Sequence, residues 1–134
     1  MTGKRTIVAI AALGAAISGG IAAATPQPYL RSVAAHRRHV VAVFTLGDLA
    51  PGKILVAVSS ARGTNGALLA RNIRLQESIA NATRVAGGFR IQTRHALRPR
   101  RYYVQVSGVV VGLDCTPRKP CPTNFSNVRK LVIR

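Results

Sequence analysis

Carboxylates are almost missing from this chain of 134 residues: Asp48, Glu77 and Asp114 stand against 20 lysines and arginines, giving a formal charge of +17. Acid–base chemistry is thinly supplied. Glycoside cleavage needs two carboxyl groups facing one bond, yet Asp48 falls in an expected turn and Asp114 adjoins Cys115, and nothing in the sequence brings them together. Histidine is scarce too. A hydrolytic triad would have to draw on His36, His39 or His95; the first two flank the cations Arg37 and Arg38, and no Gly-x-Ser-x-Gly elbow occurs. Tryptophan is absent and only six residues are aromatic. Platforms for single-stranded nucleic acid stack bases on rows of aromatic rings, so sequence-specific nucleic acid is not an expected partner. Cys115 and Cys121 lie far from all three histidines and lack zinc-ligand spacing, and five residues separate them where a redox pair normally has two. The expectation is a protein without enzymatic activity, metal or cofactor.

One motif runs against that expectation. Gly47-Asp48-Leu49-Ala50-Pro51-Gly52-Lys53 has the glycine and lysine spacing of a phosphate-cradling loop. Such a loop needs a hydroxyl next, for magnesium, and a helix whose amides face the phosphates. Here Ile54 follows and opens an expected strand, and Pro51 removes one donor, so the segment reads as a hairpin turn.

Hydrophobic residues are plentiful, at 48% of the chain, enough apolar surface to offset the ordering entropy of a small core. Part of that fraction is local. Lys4 and Arg5 precede a small, apolar run from Thr6 to Ala24 that ends Ala22-Ala23-Ala24 before Thr25, Pro26, Gln27 and Pro28. A charged start, a greasy middle and small residues at the exit read as a secretory signal over residues 1–24. The alternative is an uncleaved anchor, although Gly14, Gly19, Gly20 and many alanines weaken its hold on hydrocarbon. No later run is long and apolar enough to span a bilayer, so membrane contact is expected only through that segment. Cleavage after Ala24 removes Lys4 and Arg5 from the formal +17, leaving +15 on residues 25–134. A secreted or extracytoplasmic location makes a Cys115–Cys121 disulfide the default reading.

Residues 25–134 are expected to form one domain. Its pattern has period two with turn residues every dozen or so positions, the spacing of an all-β sandwich or barrel. Val40, Ala42, Phe44 and Leu46 share one face of a strand over His39 to Leu46, and Asp48 to Gly52 supplies a turn. Ile54, Val56 and Val58 alternate in Lys53 to Ser59, followed by a polar loop from Ala61 to Gly66. Phe89 and Ile91 oppose Arg90 and Gln92; Tyr102, Val104 and Val106 oppose Tyr103, Gln105 and Ser107; Val128 to Arg134 forms the last strand. Leu68 to Ala80 is ambiguous. Leu69, Ile73 and Ala80 would share a helical face, while Leu69, Ile73, Leu75 and Ile79 also fit alternation, and the neighbouring strands favour a strand.

Leu97-Arg98-Pro99-Arg100-Arg101-Tyr102-Tyr103-Val104-Gln105-Val106 resembles the segment leading into the sixth strand of fibronectin type III domains. In that family a leucine, a proline and a turn precede a tyrosine whose hydroxyl ties back to the backbone at the corner between sheets. The resemblance thus implies a tyrosine corner at Leu97, Pro99 and Tyr102, and an immunoglobulin-like antiparallel sandwich of about seven strands in an exported, bacterial-type protein. Ser126-Asn127-Val128 looks like the lead-in to the family's last strand. Two departures stand out: the usual Pro-Gly-Thr turn is Pro99-Arg100-Arg101, and the family's early tryptophan is missing.

The remaining feature is the distribution of cations: Arg37-Arg38, Arg98, Arg100-Arg101, Arg118-Lys119 and Arg129-Lys130. Arginine accounts for 16 of the 20 cations. Composition bias can explain arginine over lysine, but it does not explain the scarcity of acids. Such an excess attracts polyanions in a salt-dependent way. The function expected is that of an exported, non-enzymatic binding or structural module of the cell envelope, touching its ligand through the rigid loop from Cys115 to Cys121. The alternative is an extracytoplasmic polyanion-binding protein acting through these nine cations, and a third is a small secreted enzyme. Expected partners are anionic envelope polymers or another envelope protein.

Overall fold

The computed structural model describes residues 27–47, 52–65, 68–110, 114–116, 118, 119 and 121–134. The signal segment 1–24, most of the turn expected between Asp48 and Gly52, and the prolines at 117 and 120 lie outside them. The chain is all-β. Eleven strands occur among the described residues: β1 Tyr29–His36, β2 His39–Thr45, β3 Ile54–Ser59, β4 Thr64–Asn65, β5 Leu68–Leu69, β6 Ile73–Ile79, β7 Thr83–Val85, β8 Gly88–Ala96, β9 Arg100–Val110, β10 Cys121–Phe125 and β11 Arg129–Ile133.

Two antiparallel sheets pack face to face. One has the order β1-β2-β8-β7; the other runs β3 between β6 and β9, and both β10 and β11 pair with the far edge of β9. β9 is long enough for two partners. Arg100 to Val104 pair with β11, Ser107 to Val110 pair with β10, and Ser126 bridges the change-over: its N–H donates to the Val106 carbonyl at 2.9 Å and its hydroxyl accepts the Val106 N–H at 3.0 Å. This sharing, with the short hairpin β4–β5 and the small strand β7, raises the count above the seven strands the pattern predicts.

The core lies between the sheets. Leu30, Val40, Ala42, Phe44 and Ile91 from one sheet meet Ile54, Val56, Val58, Tyr102, Val104, Val106, Leu131 and Ile133 from the other. Each fully buried aliphatic or aromatic side chain contributes about 1.5–3 kcal/mol relative to exposure. The β7–β8 turn demands glycine. Gly88 has φ +154°, and a Cβ there would run into the Phe44 carbonyl on the adjacent strand.

Two patterns differ from the alternation expected. All six residues of β3 are buried, and Gln105 and Ser107 on the outer face of β9 are 2% and 3% exposed. The reason is the β4–β5 hairpin, which lies against β3 and buries Leu69; the Leu69 N–H donates to Gln105 Oε1 at 3.1 Å, and Gln105 Nε2 donates to the Ser126 carbonyl at 2.9 Å. The expected polar loop is therefore partly a cover. The segment from Leu68 to Ala80 is extended, not helical, but broken in two at Ala70 to Asn72. Asn72 has φ +50°, a left-handed conformation that asparagine tolerates, and its carbonyl accepts the Ser60 N–H at 3.1 Å.

The seams between the sheets are closed by polar side chains. On one seam Asn127 Oδ1 accepts the Leu30 N–H at 2.7 Å, Asn127 Nδ2 donates to the Leu30 carbonyl, and Arg129 Nε donates to the same carbonyl at 2.7 Å. On the other, Glu77 of β6 is 6% exposed and accepts the backbone N–H groups of Arg94 and His95 on β8 at 2.7 and 2.9 Å. Cys115 and Cys121 form a disulfide around a turn in which Lys119 and Thr116 bond each other.

Candidate anion-binding end of the sandwich

Strand pairing gathers arginines at one end of the molecule. β1 and β2 are joined by only Arg37 and Arg38, with φ of +51° and +67°. Two-residue hairpins of this hand require left-handed backbone at both positions and usually take Asn-Gly. Arginine there costs roughly 1 kcal/mol or more per residue. The Arg38 carbonyl accepts the Leu97 N–H at 2.9 Å, tying this turn to the β8–β9 connection. Arg98 follows, and Tyr102 Oη donates to its carbonyl oxygen at 2.7 Å. The Tyr102 side chain is otherwise buried in the core, at 2% exposure, so the backbone of Arg98 is held from inside the domain.

Arg98 and Arg100 flank Pro99, and both are exposed. Arg74 of β6 joins them from another part of the chain, its Nε donating to Ser60 Oγ at 3.1 Å. These three arginines, with Ala96, Leu97 and Tyr102, line a cleft of about 400 Å³. No carboxylate side chain among the described residues pairs with Arg37, Arg38, Arg74, Arg98 or Arg100; the ion pairs present join Glu77 to Arg94 and His95. Asp114 lies beside Cys115, next to β10, which pairs with the opposite end of β9. At about 3.3 Å per residue, β9 separates the two ends by on the order of 30 Å.

The nine cations singled out in the sequence therefore divide. Arg37, Arg38, Arg98 and Arg100 come together. Arg101 is exposed on the neighbouring position of β9 but does not line the cleft. Arg118 and Lys119 are exposed in the disulfide loop at the other end, and Lys130 is exposed on β11 opposite Tyr103. Arg129 is occupied within the protein, bonding the Leu30 carbonyl and the Tyr29 hydroxyl and lying 5.8 Å from the Tyr29 ring centroid. No local signal marks Arg74, a single cation between Ile73 and Leu75; its membership of the cleft follows from the pairing of β3 with β6.

A histidine and a carboxylate do converge elsewhere. His95 Nδ1 is 2.6 Å from Glu77 Oε2, and the Arg94 guanidinium stands 3.9 Å from the other oxygen. Burial pushes the Glu77 carboxyl up, but the Arg94 N–H, the His95 ring and N–H, and the His95 charge together outweigh it and hold the group below its ordinary value. Neither residue lines the cleft, and the imidazole has no serine or cysteine partner among the described residues. The sequence signal for this pair is a carboxylate at the inward position between Leu75 and Ile79. Among the described residues no three His, Cys, Asp or Glu side chains gather as a metal site.

Comparison of the chain with protein-family models and with curated proteins found no match. The class defined by its fold is two packed antiparallel sheets with one disulfide.

Proposed function

We propose that the chain is an exported, non-enzymatic binding module whose arginine-bearing end engages anionic polymers of the cell envelope. The observation that carries this reading is that Arg74, Arg98 and Arg100 line one cleft, with the Arg37–Arg38 turn bonded beside it through Leu97, and that none of the five has a carboxylate side-chain partner among the described residues. Unneutralised charge on one end attracts a polyanion over a Debye length and gains free energy by releasing its counterions. The hairpin supports the same reading: arginines occupy left-handed positions where less costly residues exist. Export rests on the signal-like residues 1–24 and agrees with a disulfide.

The proposal extends to the fold. We assign an immunoglobulin-like sandwich akin to fibronectin type III domains. In its favour, β1-β2-β8 faces β3-β9 with β10 and β11 as the first, second and fifth strands of an immunoglobulin sandwich face the third, sixth and seventh, with β6 and β7 added at the outer edges. The Tyr102 bond to the Arg98 carbonyl has the form of that family's tyrosine corner.

The test is binding of the exported protein to a polyphosphate chain across a salt series. Affinity should fall linearly on logarithmic axes, and replacing Arg37 and Arg38 by alanine should flatten the slope by about 1–2. Weak binding that is indifferent to salt would refute the reading.

A further inference from the structure

We infer that the cleft formed by Arg74, Arg98 and Arg100 is a discrete site for one phosphoryl group carried on a larger molecule. The inference rests on the anion-binding reading of this end and adds a ligand class to it. Diffuse attraction needs only net charge, which lysine on a mobile stem supplies equally well. What distinguishes this cleft is that the backbone bearing its arginines is fixed and one of the guanidinium groups is already placed. Tyr102 Oη fixes the backbone of Arg98, the Arg38 carbonyl fixes Leu97 beside it, Ser60 Oγ takes the Nε of Arg74, and Arg100 is the first residue of a strand paired to Ile133. The stems of Arg98 and Arg100 thus start from fixed points and the Arg74 fork is already oriented, so less freedom is lost on binding than with cations carried on a loose segment.

Chemistry narrows the ligand. A guanidinium is a planar fork that meets an oxyanion with two parallel N–H bonds. A carboxylate has two oxygens and is served by one fork. Three forks on one cleft suit a tetrahedral group that offers three terminal oxygens, and the charge of a phosphate monoester relieves the mutual repulsion of three like charges. With Nε of Arg74 already donating to Ser60, that side chain still presents its two terminal nitrogens.

The shape of the cleft argues for a group attached to something. Its volume of about 400 Å³ falls within the ~300–1,000 Å³ of small-ligand sites. Ala96 and Leu97 add apolar lining beside the arginines, where a carbon skeleton attached to the phosphoryl group would rest. Arg37 and Arg38, joined to the cleft through Leu97, continue the positive surface along which further phosphates of a polymer would lie.

The experiment titrates the exported protein with glycerol phosphate, inorganic phosphate and a polyphosphate chain at physiological and constant ionic strength, following backbone amide shifts and the melting temperature. The key variant carries Arg74→Lys, Arg98→Lys and Arg100→Lys, which keeps every charge and removes every fork. Arg118→Ala with Lys119→Ala, in the distant disulfide loop, is the comparison. For the wild type, saturable binding of glycerol phosphate is expected, with the largest shifts at Leu97 to Arg100. The triple lysine variant should lose at least about tenfold in affinity for glycerol phosphate and less than about threefold for polyphosphate, since only the first depends on fork geometry. A melting temperature near that of the wild type checks that the variant folds. An unchanged affinity for glycerol phosphate in the lysine variant overturns the inference, as does an equal loss in the Arg118 and Lys119 variant or tighter binding of free phosphate than of the ester. If polyphosphate binds and glycerol phosphate does not, the discrete site fails alone. If neither binds the wild type, the anion-binding reading fails with it.

Discussion

Replacing Glu77 by glutamine tests whether the sheets are joined as described. The side chain keeps its shape, but only one of its two terminal atoms can still accept a hydrogen bond. Oε1 of the carboxylate takes the Arg94 N–H, and Oε2 takes the His95 N–H and lies 2.6 Å from the His95 ring. In the amide, one of those backbone N–H groups faces an NH₂ instead of an oxygen. A buried donor left without an acceptor costs about 1–3 kcal/mol, and the bonds lost are to a charged group, each worth about 1.5–3 kcal/mol. The expected loss is therefore about 3 kcal/mol, a large part of the 5–15 kcal/mol typical of a domain. Urea unfolding followed by circular dichroism should show a lower midpoint with an unchanged slope.

The pH dependence adds a second readout. The carboxyl is held below its ordinary value in the folded protein, so its contribution is complete above about pH 4.3, the unfolded value, and is lost as pH falls through the folded value. The glutamine variant should lack that acid-side decline. A loss below about 0.5 kcal/mol, with the acid limb intact, would refute the argument that Glu77 closes this seam.

The same bonds and turns fix three further outcomes. Replacing Arg37 and Arg38 by Asn-Gly should raise stability by about 1–2 kcal/mol in the same urea assay while weakening polyphosphate binding, because the left-handed turn would no longer be strained. Changing Cys115 and Cys121 together to serine should cost about 2 kcal/mol, the loop-closure value for so short a ring, with amide-shift changes confined to the disulfide loop and its neighbours. Tyr102→Phe should lose about 1 kcal/mol of stability with its bond to the Arg98 carbonyl, and should weaken glycerol phosphate binding by releasing Arg98.

Alternation at Val40, Ala42 and Phe44, and again at Tyr102, Val104 and Val106, is enough to assign those side chains to the core, because strand geometry imposes the period. The outer face of β3 is different. Whether Leu55 and Ala57 are wet depends on what lies above them, and the cover is a hairpin further along the chain that pattern alone reads as a loop. Asn72 carries the signal for the break before β6 in its tolerance of left-handed backbone, yet an apolar alternation running through it hides that signal. The paired arginines of the candidate site are visible as doublets, whereas Arg74 is brought to them by pairing between distant segments. Arg129 shows the converse: a cation in a conspicuous cluster whose guanidinium is committed to Leu30 and Tyr29.

An outermost strand offers bare N–H and C=O groups on which a strand from another molecule can grow. At Leu30 of β1 that template is already taken, because Asn127 presents a carbonyl and an NH₂ in the places where a neighbouring peptide would have put its own. The chain thus mimics one link of the missing neighbour with its own amide, and the first strand is sealed at that point against recruitment into fibrils.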